Sequence, residues 1–225
     1  MDGYEELWGR FRRDRRLEPG GHTNPEWQDG HGLSVSFLIP VEAENALEGL
    51  RPLREALEPF PFVSLHPDHF MHITLLLPGF LAQEPGADDE LSPDRLEELA
   101  TGAREALADF PPFPAELRNL NAFPGAVFVE VHDGGMIGKV REAVRVRCGL
   151  AKPPGPPHLT VAYIKVPEDR AAPDAFVEAV GRYRDRYVGE IEVNRVELTL
   201  LDLKKEYPEP QTVATIRLGG GSPKF

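Results

Sequence analysis

Between Leu33 and Leu57 the hydrophobic period of the chain changes once. L-S-V-S-F-L-I-P, Leu33 to Pro40, alternates apolar and polar positions as a half-buried strand does, and Val41, Leu47, Leu50, Leu53 and Leu57 then recur at roughly helical intervals. The pattern predicts a strand feeding a helix. H-I-T-L-L-L-P-G-F, starting at His72, is a short apolar run closed by Pro-Gly, followed by the acidic loop Q-E-P-G-A-D-D-E and a helix opened by Ser92-Pro93. Ser92 is the expected N-cap, with Arg95 where a capping box would place Glu.

The second half repeats this grammar. F-P-A-E-L-R-N-L-N-A-F-P-G and A-V-F-V-E-V-H-D-G-G read as two strands joined at Pro124-Gly125, and Met136 to Val146 as an amphipathic helix with Met136, Ile137, Val140 and Val144 inward. G-G-M-I-G-K, Gly134 to Lys139, is too short for a phosphate loop and reads as a turn and helix start. After P-P-G-P-P comes the strand H-L-T-V-A-Y-I-K, then a helix from Asp174 to about Tyr187, a long strand E-I-E-V-N-R-V-E-L-T-L-L-D-L, and a last strand T-V-A-T-I-R-L. About four helices and seven or eight strands in this alternation predict an α+β fold. The similar order of elements in the two halves predicts a bilobal arrangement. Two pseudo-symmetric antiparallel or mixed sheets would carry outer helices and share a central cleft. Residues 1–31, with W-G-R-F-R-R-D-R-R and a Gly/Pro-rich stretch, read as an N-terminal extension of helix plus irregular lead-in. Residues 32–219 are expected to form the two-lobed domain, and 220–225 a flexible tail.

Composition narrows the class. A 225-residue chain that is 41% apolar and 28% charged is expected to form one sizeable core or two small lobes. The single cysteine, Cys148, allows no intramolecular disulfide, and with neither a signal-like N-terminus nor a long apolar run the expectation is a cytoplasmic protein without membrane partners. A formal charge of −12 disfavours broad binding to a polyanion. It leaves room for a small nucleotide or one RNA end in a local positive pocket.

Of the seven histidines, only His72 and His158 have Ser or Thr two positions later, in the matched contexts H-I-T-L and H-L-T-V. On a strand, residues i and i+2 share a face, so His72 with Thr74, and His158 with Thr160, each present an imidazole and a hydroxyl on one surface. If the two strands face a common cleft, one imidazole can act as general base and the other as general acid at neutral pH, while the hydroxyls donate to phosphate oxygens. That combination suits metal-free phosphodiester hydrolysis, with no cofactor.

These motifs resemble those of the two-histidine phosphoesterases, which include 2',3'-cyclic nucleotide phosphodiesterases and bacterial RNA 2'-5' ligase-like enzymes. The resemblance runs from about Leu33 to Leu218 and includes H-I-T-L-L-L-P-G, F-P-A-E-L-R-N-L-N-A-F-P, P-P-H-L-T-V-A-Y and V-N-R-V-E-L-T-L-L. It implies a bilobal fold with both motifs on central strands, acid and base roles shared by His72 and His158, and phosphate binding by Thr74 and Thr160. Five positions after the second histidine, family members often carry an Arg or Tyr that touches the phosphate; here it is Tyr163. The first-motif equivalent is Leu77, where some relatives stack an aromatic on a base. The implied substrate is a nucleotide or short oligonucleotide with a cyclic phosphate or 2'-5' linkage, with RNA 2'-5' ligation as a possible side activity and no obligatory protein partner.

Other residues are weighed beside these. Lys152 and Lys165 flank the second motif and are placed to add positive charge to the phosphate site, although the parity of Lys165 takes it off the histidine face unless the strand bulges. His22 and His31, with Trp8 and Trp27, are expected to pack on the surface, and His132 to flank a turn. Two other classes compete: a nucleotide or RNA-end binding module with little chemistry, and a metal hydrolase built on His66, His69 and His72 with Asp68 nearby.

Overall fold

The computed structural model describes residues 3–22, 24–151 and 155–219. Its helices are α1 (Gly3–Asp14), α2 (Pro25–Gln28), α3 (Glu44–Leu57), α4 (Pro93–Leu107), α5 (Met136–Cys148) and α6 (Asp174–Gly181). The strands are β1 (Arg16–Leu17), β2 (Leu33–Pro40), β3 (Val63–Leu65), β4 (His72–Leu81), β5 (Glu90–Leu91), β6 (Phe113–Phe123), β7 (Ala126–His132), β8 (His158–Ile164), β9 (Arg170–Ala171), β10 (Tyr187–Val193), β11 (Arg195–Asp202) and β12 (Gln211–Arg217). The fold mixes α and β, with helices packed outside a sheet, as the alternation of periods predicts.

Where two sheets are expected, the main strands join in one ten-stranded sheet of order β10-β6-β7-β8-β4-β2-β11-β12, with β3 beside β8 and β5 beside β4. The order reads alike from its middle outward: β4 and β8 are neighbours, and each has on its other side the strand that precedes it across a helix, β2 before α3 and β7 before α5. The central contact is narrow. One residue pair, Ile73 with Leu159, registers β4 against β8.

The hairpin β6–β7 turns at Pro124-Gly125 as expected, and Ser92 caps α4 by accepting from the Arg95 N–H at 3.2 Å. Three boundaries differ from the sequence expectation. Val41 precedes α3 and is buried, its N–H donating to the Met71 carbonyl at 2.9 Å, so its helical spacing was coincidental. The long strand around Asn194 is two strands: β10 lies at one end of the sheet and β11 beside β2, so the chain crosses between them at Asn194. Helix α6 ends at Gly181, and turns through Arg186 lead into β10.

Residues before Leu33 are part of the packed body. Helix α1 buries Tyr4, Trp8 and Phe11, with Phe11 edge-on to Phe176 at 6.2 Å, so Trp8 lies in the core rather than on the surface. The Tyr4 hydroxyl reaches the carbonyls of Val131 and of Pro157, the residue before His158. The backbone at Gly20 passes directly over Gly125, where a Cβ on Gly20 would meet the Gly125 carbonyl oxygen at 1.8 Å.

Helix α3 docks on β10 by the same kind of close approach: a Cβ on Gly49 would lie 1.7 Å from the Val188 carbonyl oxygen. In an exposed helix Gly to Ala adds about 1 kcal/mol of stability. For Gly49→Ala the sign reverses, because backbone must move, and a loss of about 1–3 kcal/mol is expected. Urea denaturation of the purified variant measures it; a stability gain would show that the α3–β10 contact is loose.

Candidate active site

Register, more than distance along the chain, assembles the site. Ile73 and Leu159 are both fully buried on the core face of the sheet. Their neighbours therefore face the other way, and the antiparallel pairing sets His72 beside Thr160 and Thr74 beside His158. All four are partly exposed, between buried residues on either side. The two tetrapeptides thus form one four-residue patch, two imidazoles and two hydroxyls on a diagonal.

Each strand then bulges at the same place. On β4 the partners of Leu38 and Phe37 are Thr74 and Leu76, skipping Leu75; on β8 the partners of Phe128 and Val127 are Thr160 and Ala162, skipping Val161. An extra residue three positions after each histidine reverses the alternation. It returns Leu77 and Tyr163, five positions after their histidines, to the imidazole face. The same bulge corrects the parity expectation for Lys165, whose ammonium lies over the Tyr163 ring at 5.6 Å.

The two imidazoles are held alike. Nδ1–H of His72 donates to the Phe70 carbonyl at 2.8 Å, and Nδ1–H of His158 to the Pro156 carbonyl at 3.0 Å, in each case two residues upstream. Since a carbonyl can only accept, both rings are fixed in the tautomer that leaves Nε2 as the basic nitrogen. Burial pushes the His72 pKa down to about 4, opposed by the Phe70 carbonyl and assisted by the nearby His22 and His158 rings. His158 is lowered too, first by burial and then by the Arg141 guanidinium, against the pull of the Pro156 carbonyl. Both are therefore neutral in the empty site at pH 7.

A cavity of about 280 Å³ opens on the His72 side. Its walls include Thr74, Leu77, Phe70 and Tyr163, and also three residues that sequence reasoning left out of the site: His22, Ser34 and Ser36. His22, expected at the surface, is buried; its Nε2 lies 2.9 Å from the Lys205 carbonyl and its Nδ1 3.4 Å from the Tyr163 hydroxyl. The available signal was S-x-S on β2, which repeats the spacing of H-x-T on the neighbouring strand. Arg141 of α5 was also missed. It donates to the Gly155 carbonyl at 3.1 Å and reaches the Thr74 carbonyl at 3.4 Å, tying β4 to the loop before His158.

The remaining candidates fall elsewhere. Lys152 lies outside the described residues, as does the side chain of Trp27. His66, His69 and Asp68 do not gather around His72: His66 is enclosed by Tyr163, Phe70 and Tyr207 at ring distances of 4.4, 5.1 and 5.2 Å. His69 contacts the Tyr207 carbonyl at 3.1 Å and Asp68 pairs with Arg54 at 2.6 Å. Among the described residues no three His, Cys, Asp or Glu side chains are grouped as metal ligands. His31 stacks on Phe80 at 4.2 Å, and His132 meets Glu130 at 3.1 Å. No helix in the described residues is long and apolar enough to cross a membrane.

A family model described as the 2'-5' RNA ligase superfamily matches residues 39–205. No curated protein matches the chain in sequence. Among solved structures, TT0787 of Thermus thermophilus is 20% identical with a TM-score of 0.59, the match covering 84% of this chain and 100% of that one. Escherichia coli LigT complexed with 3'-AMP is 13% identical with a TM-score of 0.61, over 84% of this chain and 99% of LigT. An Agrobacterium tumefaciens protein of unknown function is 13% identical with a TM-score of 0.56, over 82% and 85% of the two chains. At these identities the solved structures share the fold.

The buried imidazoles make stability depend on acid. In an unfolded chain they protonate near 6.5, whereas in the folded protein His72 does so at about 4 and His66, desolvated in its aromatic cage and beside the cations of protonated His72 and His22, at about 2. Above 6.5 neither state binds the proton and nothing is lost; as pH falls below it, the unfolded chain binds more protons and stability declines. Urea unfolding between pH 7.5 and 4.5 is expected to show this decline. His66→Phe should flatten it by nearly one proton; an unchanged slope would show that His66 is solvated.

Proposed function

The chain belongs to the 2'-5' RNA ligase superfamily, and on that premise we propose that it is a phosphodiesterase hydrolysing 2',3'-cyclic phosphates or related nucleotide phosphodiesters. The observation that carries this reading is the matched pair of imidazoles, each oriented by the carbonyl two residues upstream and leaving Nε2 without a partner among the described residues. Solved relatives in complex with 3'-AMP, with ATP and with phosphate support a nucleotide as substrate class.

In the proposed reaction the phosphate sits in a cleft between the halves of the sheet, its non-bridging oxygens accepting from the Thr74 and Thr160 hydroxyls. One Nε2 takes a proton from water as its oxygen bonds to phosphorus. The other imidazole, protonated, delivers its proton to the departing ribose oxygen as that P–O bond breaks. Water is added across one bond, and the two histidines exchange protonation states. The hydroxyls, with Tyr163, stabilise the charge on the pentacoordinate phosphorus. Because burial keeps both imidazoles neutral in the empty site, the proton on the acid depends on the substrate: an anion between the rings raises their pKa values. Arg141 acts as a positioning residue through Gly155 and Thr74, and its charge helps to hold the His158 pKa down.

Assays with 2',3'-cyclic nucleotides are expected to give a nucleoside monophosphate, with activity surviving EDTA. His72→Ala and His158→Ala should each lose about 10²–10⁴-fold in kcat with unchanged circular dichroism. Full activity in both variants would reject the assignment, loss on chelation would favour a metal hydrolase, and nucleotide binding without turnover a binding module.

The pH profile tests the electrostatic argument separately. The kcat/KM profile, which reports the free enzyme, should have its limbs below 6.5, while the basic limb of kcat moves to higher pH in the substrate complex. Arg141→Met should shift the His158 limb of kcat/KM upward as well as lowering kcat. A rate loss with the profile unmoved would make Arg141 structural only.

A further inference from the structure

The two motif histidines are held by matching carbonyls, but those carbonyls are themselves held in different ways. Phe70, which fixes His72, is buried in a short turn at Asp68–Phe70; its N–H donates to the Pro67 carbonyl at 3.0 Å, and the Met71 N–H to the Asp68 carbonyl at 3.1 Å. The turn is tied by its own backbone. The carbonyl that fixes His158 belongs to Gly155-Pro156-Pro157, where neither proline has an N–H to tie the chain down. At the prolines only the carbonyls can be held. Each carbonyl of the three residues meets a side chain: Gly155 that of Arg141 at 3.1 Å, Pro156 that of His158 at 3.0 Å, and Pro157 the hydroxyl of Tyr4.

Tyr4 reaches this segment where strand pairing stops. Glu130 with His158 is the last registered pair of β7 and β8 at this end. One residue further along β7, the Tyr4 hydroxyl accepts from the Val131 N–H at 3.3 Å and has the carbonyls of Val131 and Pro157 within reach of its single proton. It stands in for the rung that a proline at 157 cannot supply. The Tyr4 ring is buried and packs beside His132 at 5.3 Å. Its helix is pinned by a buried polar network. Asn121 donates from Nδ2 to the Tyr4 carbonyl at 3.0 Å and to Glu130 at 2.8 Å, and Arg184 pairs with the same Glu130, bonds Glu5 at 2.6 Å and lies over the Trp8 ring at 5.5 Å. Glu130 is 1% exposed, so its carboxylate stays satisfied only while these partners keep their places, which fixes α1 and with it the hydroxyl.

We propose that Tyr4 is a positioning residue for His158: its hydroxyl holds the Pro156-Pro157 backbone so that the Pro156 carbonyl meets Nδ1 and the ring presents Nε2 to the cleft. Tyr4 touches neither substrate nor reacting atoms. Its effect on catalysis rests on the phosphodiesterase reading, whereas its effect on the orientation of the ring does not. All of α1 precedes the family-matched residues 39–205, so the second histidine is set by a segment outside the family match. The first is set from within it, by the turn at Phe70. The two halves of the site therefore differ in what they require of the N-terminal helix.

Long-range proton–nitrogen NMR spectra of the full chain at neutral pH report the tautomer of each imidazole, with the His158 signals assigned by their loss in His158→Ala. In the unsubstituted chain both rings are expected to carry the proton on Nδ1. Tyr4→Phe keeps the ring beside His132 and removes only the hydroxyl. It should move part of the His158 population to the Nε2–H tautomer and leave His72 unchanged. Against cyclic nucleotides the same variant should lose about 5- to 30-fold in kcat with KM within about twofold, the effect of one buried hydrogen bond felt at a group that acts in the transition state. Trp8→Phe, on the same helix but facing Arg184, controls for the docking of α1 and should leave both tautomers as they are. His158 found with its proton on Nε2 in the unsubstituted chain, His158 unmoved in Tyr4→Phe, or both histidines shifting alike would overturn the role. So would a His158 shift of equal size in Trp8→Phe, or a shifted tautomer with kcat unchanged. A His158 tautomer that responds to Tyr4→Phe in a chain that turns over no cyclic nucleotide rejects the phosphodiesterase reading and keeps the hold of Tyr4 on the ring.

Discussion

The pairing of Ile73 with Leu159 is the constraint on which the site depends. It is the one registered contact between β4 and β8, and it joins two runs of four strands into a continuous sheet. Both side chains are fully buried, and a one-residue slip would drive an imidazole into the core and an aliphatic side chain into the cavity. The hydrophobic cost of such a slip therefore enforces the polar geometry. Packing on one face of the sheet fixes the chemistry on the other.

The site works against the charge of the molecule around it. A chain of net charge −12 must attract an anion locally, yet the two imidazoles are kept neutral by burial until something negative arrives. Low dielectric makes protonation expensive without a counter-charge and favourable with one. In the proposed reaction, binding and acid catalysis would thereby be linked, the substrate's charge securing the proton that the leaving oxygen receives. Arg141 belongs to the same balance: its guanidinium lies behind the motifs, bound to backbone carbonyls, and contributes positive charge without occupying the cavity.

The mix of helices and strands and the shared face of the two motif histidines were legible in the sequence because they depend on period and repetition, whereas the single sheet in place of the two expected was not. Alternation marked the strands around His72 and His158, and Pro124-Gly125 marked the hairpin. What was not legible depends on backbone irregularity or on contacts between distant segments. The bulges at Leu75 and Val161 occur at ordinary aliphatic residues, with no Gly or Pro to announce them, although they decide where Leu77, Tyr163 and Lys165 face. Ser34 and Ser36 alternate as solvent-facing residues would, and nothing local reveals that another segment covers them. At Asn194 a continuous β pattern conceals a crossing from one end of the sheet towards the other, because pattern records the face of a strand and not its neighbour. His22 lay in a stretch without periodicity, where only tertiary contact gives a residue its role.

The cover over the cavity also has a place in time. His22 meets Lys205 across 183 residues of chain, and the Gly20 backbone closes on Gly125 with no side chain between them. Contacts of such sequence separation are slow to form, since the intervening chain must be ordered before they add stability. The two motif strands can find each other earlier. Loop-closure entropy alone thus favours pairing the motif strands, whose histidines are 86 residues apart, over closing the cover at His22, by less than about 1 kcal/mol.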